Sequence, residues 1–163
     1  MFALPIVKTS VSTRMPGQFV LELRNVSSLT EARFAAGEGF THIRLDAALA
    51  GGDLAPIEGI KGFLSGILVG LDLEAGQSKP DWADYFVQYG KLLDSTEEYS
   101  LVPPASEGDL AYSIIEIEDL SIELPKAQPA GLSIPSPTEY KVGHADYEPV
   151  QDLLEKARDT FGL

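Results

Sequence analysis

The stretch from Phe19 to Asp46, FVLELRNVSSLTEARFAAGEGFTHIRLD, limits what this chain can fold into more than any other. Phe19 to Leu23 is an apolar run of strand-forming residues. Asn25 to Ser28 is turn chemistry that also caps helices. Ser28 and Glu31 have capping-box spacing, with the acid in the first turn where the helix dipole favours it. Leu29, Ala32, Ala36 and the stem of Arg33 recur at roughly helical period. Gly37 and Gly39 bracket the helix end, because glycine enters the left-handed region without steric cost. Thr41 to Leu45 is a second strand. Two strands joined through a helix lie parallel, and a parallel sheet needs cover on both faces, so further units of this kind are expected.

The rest of the chain continues an uneven alternation. Ala47 to Pro56 reads as loop, Pro56 to Leu64 as a short helix, and Gly66 to Glu74 as a third strand. Pro80 to Trp82 starts a one-turn helix, and Asp84 to Tyr89 is a fourth strand. Leu92 to Tyr99 is predicted helical and Glu107 to Ala111 a helical turn. Tyr112 to Glu118 is a fifth strand, Ser121 to Leu124 a short extension, and Gly131 to Ile134 the last strand. From Tyr147 to Phe161, residues Val150, Leu153, Leu154, Ala157 and Phe161 mark one face of a helix that Gly162 ends. Ala3 to Ser12 is a strand or a lead-in arm, and the N-terminus is read as part of the fold, since no basic stretch precedes its apolar patch. No linker or low-complexity tract divides the 163 residues, which form one domain. No run of 18 apolar residues occurs, so no membrane span is expected.

Charge and composition narrow the function. With 25 acids against 12 bases the net charge is −13, which disfavours nucleic acid and anionic lipid as partners. There is no cysteine, which removes disulfides, thiolate catalysis and cysteine-held metals, and fits a cytoplasmic location. His42 and His144, the only histidines, give no metal spacing, and no metal or other cofactor is expected. His42 reads as a packed strand residue and His144 as a surface loop residue. No glycine-rich phosphate loop follows a strand. Trp82, Tyr85, Phe86 and Tyr89 form an aromatic cluster whose two readings are core and a self-association surface.

Three segments resemble the phosphoribosylanthranilate isomerase family, TIM barrels of tryptophan biosynthesis. LRNVSSLTEARFAAGEGFTHIRLD resembles its opening, DYFVQYG its fourth strand, and SIPSPTEYKVGHADYEPVQDLLEKAR its ending, in the family's order. The resemblance implies an α/β fold, a reduced or atypical TIM-like (β/α) barrel with a mostly parallel sheet. The chain is short for that fold, which usually takes about 250 residues. A shrunken barrel with bare crossovers, an incomplete barrel or half of a shared one follows, and a homodimer would cover the sheet edges that an incomplete barrel exposes.

The departures from the family bear on activity. Arg24 stands where the family has its catalytic cysteine base, and a guanidinium does not give up its proton. Asn25 replaces the following glycine. The family's general acid has no clear counterpart; Asp94 and Asp119 are candidates by strand-end position. In the phosphate-binding turn Ser136 is kept, while Pro137 replaces a glycine and offers no N–H. Polar residues nevertheless fall at predicted C-terminal strand ends: Arg24, Asp46, Asp72, Glu74, Gln88, Glu118, Asp119 and Ser136. Three functions follow. The first is a diverged relative without the parent reaction, keeping an anion or phosphosugar pocket held by Arg24 and Ser136. The second is an inert structural or partner-binding homodimeric scaffold, with Arg24 paired to Asp46 or Asp72. The third is another isomerase or lyase chemistry run by Asp46 or Asp72. An Arg24 open to solvent beside Ser136 would favour the first, and an Arg24 sealed among packed side chains the second.

Overall fold

The structure, a computed structural model, describes residues 18–50, 52, 54–64, 66–94, 97–106, 108–137, 139–141 and 144–163. The expected Ala3 to Ser12 strand lies outside the described residues. Eight strands close into one barrel: β1 (Val20–Val26), β2 (His42–Leu45), β3 (Leu68–Asp72), β4 (Tyr85–Gln88), β5 (Lys91–Asp94), β6 (Glu98–Val102), β7 (Ser113–Glu116) and β8 (Gly131–Pro135). Helix α1 (Leu29–Glu38) joins β1 to β2, and α2 (Ala47–Ala50) and α3 (Leu54–Phe63) join β2 to β3. A two-stranded hairpin, β9 (Glu139–Lys141) with β10 (His144–Ala145), leads into α4 (Glu148–Phe161).

This corrects the expected fold. The barrel is a mixed β-barrel with few, short helices, not a reduced or atypical α/β TIM-like barrel: six of its eight ladders are parallel and two antiparallel. β5 runs antiparallel to both β4 and β6. Among the described residues no helix lies between β3 and β8. The segment from Leu92 to Tyr99, predicted helical, forms the arms of a hairpin instead. Tyr89 and Gly90 carry φ of 55° and 71°, the paired positive values of a two-residue turn that matches strand twist. Leu92 and Tyr99 point inward and are buried, while Lys91 and Glu98 point outward and pair at 3.1 Å. That is a period of two, not 3.6. The predicted turn at Glu107 to Ala111 is not helical where described, and Ser121 to Leu124 adds no strand. The loop expected from Ala47 begins instead with α2, because Asp46 accepts the Ala48 N–H at 2.9 Å and caps a turn there.

The two halves of the barrel differ for a legible reason. On β1, β2, β3 and β8 the outward residues are Leu21 and Leu23, Ile43 and Leu45, Val69, and Leu132 and Ile134, all buried in one outer core with Ala32, Ala35, Ile57, Ile60, Leu153 and Phe161 of the helices. Strands apolar on both faces need a covering layer. On β5 and β6 the outward residues Lys91, Glu98 and Ser100 are exposed, so that side needs no helix. A second cluster fills the lower barrel interior with Val20, Leu68, Tyr85, Leu92, Tyr99 and Ile114. A Cβ on Gly70 would lie 2.6 Å from the Tyr85 ring, so glycine there makes room for the ring inside the barrel. Closure also removes the free edges on which the dimer expectation rested: each barrel strand is paired on both sides.

The two strongest sequence elements form as read. Ser28 caps α1 by accepting the Glu31 N–H at 3.3 Å, and Gly39 ends it at φ 85°. On α4 the buried residues are Val150, Leu153, Leu154, Ala157 and Phe161, and Gly162 closes it at φ 68°. Among the described residues no helix is long and apolar enough to cross a membrane.

A polar plug at the C-terminal mouth

Above the apolar floor the interior turns polar. Alternation puts Glu22 and Arg24 of β1, His42 and Arg44 of β2 and Ser133 of β8 on the inside, and all five are buried. Register brings them level: Glu22 faces both His42 and Ser133 across its two ladders. The Glu22 carboxylate, fully buried, accepts from Arg44 at 2.8 Å, from Ser133 Oγ at 2.6 Å and from Tyr85 OH at 2.7 Å. These donors come from three strands, so with Glu22 itself the contact ties β1, β2, β4 and β8 together across the lumen.

The charges compensate. Burial pushes the Glu22 carboxyl up, but the Arg44 charge and the hydrogen bonds from Ser133, Tyr85 and Arg44 outweigh it and hold the group below its ordinary value. Burial acts against the Arg44 guanidinium, and the Glu22 and Asp72 carboxylates raise it above its usual value. Burial, then the Glu22 charge, push Tyr85 well above the usual tyrosine range, so it stays a neutral donor.

Arg24 closes the mouth over this network. Its Nη1 donates to the Ser133 carbonyl at 2.7 Å and to Ser133 Oγ at 3.2 Å. Its Nη2 donates to the Ile117 carbonyl at 2.6 Å and to Glu118 at 3.2 Å. The residue is 7% exposed. Burial lowers its pKa, with Glu118 opposing. Arg44 reaches outward as well, to Asp72 at 2.8 Å and within 3.8 Å of Glu116. Asp72 and Glu118 are themselves 57% and 86% exposed, so water shares those two pairs. Arg44 Nε makes no hydrogen bond among the described residues.

The remaining candidates are scattered. Asp72 joins the network, through Arg44 and not through Arg24. Asp46 caps α2 and takes no part in it. Ser136 donates to Glu31, whose carboxylate also accepts from the Ser27 N–H, Ser27 Oγ and Ser28 Oγ. The Ser136 N–H donates to the Arg24 carbonyl at 2.8 Å, but the two side chains serve different partners. Asp119 accepts from Ser121 N–H and Oγ at 2.9 and 2.7 Å in an exposed turn. Gln88 bonds the Glu74 carbonyl at 2.7 Å. Asp94 lies at the opposite end of the barrel, because β5 runs backwards; its Oδ2 is 3.6 Å from His42 Nε2, and both side chains are fully buried. The aromatic cluster is split: Tyr85 is buried inside the barrel, whereas Tyr89 is 75% exposed at the β4–β5 turn. Among the described residues no three carboxylates or histidines converge as metal ligands.

Glu22, Arg44, Ser133 and Tyr85, the centre of the network, do not stand out at strand ends. Their signal is charge at alternate positions inside apolar strands, V-L-E-L-R in β1 and H-I-R-L in β2. A strand covered by helices outside and charged on the other face must enclose a polar interior.

The fold and its interior define a class: a small closed mixed barrel whose lumen is filled by its own side chains. No family model, curated protein or solved structure matches the chain. Nothing in these comparisons identifies the phosphoribosylanthranilate isomerase family or supports the label of isomerase homologue, and the TIM-barrel-like reading is overturned by the mixed barrel.

Proposed function

We propose that the protein is a non-catalytic barrel that serves as a structural or partner-binding scaffold. One observation carries the reading: the Arg24 guanidinium, 7% exposed, spends both terminal nitrogens on main-chain carbonyls of its own barrel. A cation bound in this way is a plug and not a receptor, since freeing it for a ligand would strip the Ile117 carbonyl of its donor and leave the Ser133 carbonyl only the Ile117 N–H. Charge supports the same reading. Four carboxylates, Glu22, Asp72, Glu116 and Glu118, surround the two guanidinia of Arg24 and Arg44. An approaching phosphate therefore meets surplus negative charge. The buried Ser133 hydroxyl donates to Glu22, and no candidate base reaches a nucleophile open to solvent among these residues. A cytoplasmic location belongs to the same proposal, supported by a sequence without cysteine.

The test is thermal melting with and without phosphosugars and simple anions, on the natural protein and on Arg24→Ala. No ligand should move the midpoint. The variant should lose about 1–3 kcal/mol, from the Ile117 carbonyl left unpaired, since the Ser133 carbonyl keeps the Ile117 N–H at 2.9 Å. A ligand at a hundred times its dissociation constant would add about 2.7 kcal/mol. Such a shift in the natural protein, absent in Arg24→Ala, would replace this proposal with the anion-pocket reading.

A further inference from the structure

We draw no further inference here: the strongest candidate, the groove of about 710 Å³ between the β7–β8 connection and the start of α4, lined by Glu118, Asp119, Asp146, Glu148 and Asp152 over Leu153, is an acidic cluster at a helix N-terminus, and nothing in the structure shows what covers it.

Discussion

Replacing Glu22 by Gln tests whether the interior network holds the barrel together. The substitution keeps the size of the side chain and an oxygen acceptor, and removes the charge. Arg44 then stays buried, with the charge of its 2.8 Å partner gone and only the half-exposed Asp72 at 2.8 Å and Glu116 at 3.8 Å left as counter-ions. Breaking one side of a buried pair costs about 3–5 kcal/mol. The surviving Asp72 contact places the expected loss at the lower end, about 3 kcal/mol. That is a large share of the roughly 5–15 kcal/mol by which domains are stable. In urea, with a slope of about 1–3 kcal/mol per molar, the midpoint should fall by about 1–3 M at unchanged slope. A companion variant sharpens the test: Glu22→Leu, Arg44→Met, Tyr85→Phe and Ser133→Ala together. It removes the central charges with their buried polar partners and should lie much closer to the natural protein than Glu22→Gln does, because an apolar replacement of a complete buried network is near neutral. A Glu22→Gln midpoint within about 0.3 M of the natural protein would refute the reasoning, since the charge would then be solvated.

Further outcomes follow from the same contacts. The Glu22 carboxyl is lowered in the folded barrel, so its stabilisation is present above its ordinary 4.5 and is lost as pH falls through the lower folded value. Denaturation midpoints measured across that acid range should fall in the natural protein and flatten in Glu22→Gln. Gly70→Ala should cost about 1–3 kcal/mol through overpacking, because its Cβ would lie 2.6 Å from the rigid Tyr85 ring; an unchanged urea midpoint would place the ring elsewhere. Tyr89→Gly should stabilise the protein by about 1 kcal/mol, since Tyr89 is 75% exposed at φ 55°. A loss of stability in that variant would reveal a contact made by the ring.

The amphipathic patterns were legible in sequence, and so were the caps. Helix α4 carries its apolar face at spacings of three and four, and α1 its Ser28 and Gly39 stops, signals that act within a few residues of one another. The hairpin at Tyr89–Gly90 was not legible, because tyrosine in the left-handed region is an uncommon way to make such a turn. Missing it turned β5 and β6 into a helix and concealed the reversal of β5. The site was misplaced for a related reason. Strand-end carboxylates such as Asp46 and Asp119 stand out in sequence, yet they cap turns. Glu22 and Arg44 sit mid-strand, where only the closure of the barrel reveals what they face.

Sequence alone determined the βαβ opening, the two strong helices, the acidic charge and the absence of cysteine. Those follow from residue identity and from spacing along the chain, which act locally. Tertiary structure alone decided that eight strands close, that one of them runs backwards, and that Arg24 turns inward to the carbonyls of Ser133 and Ile117. The closing β1–β8 ladder and the Arg24 bonds join residues about a hundred positions apart, and those bonds set whether a buried guanidinium is a receptor or a plug.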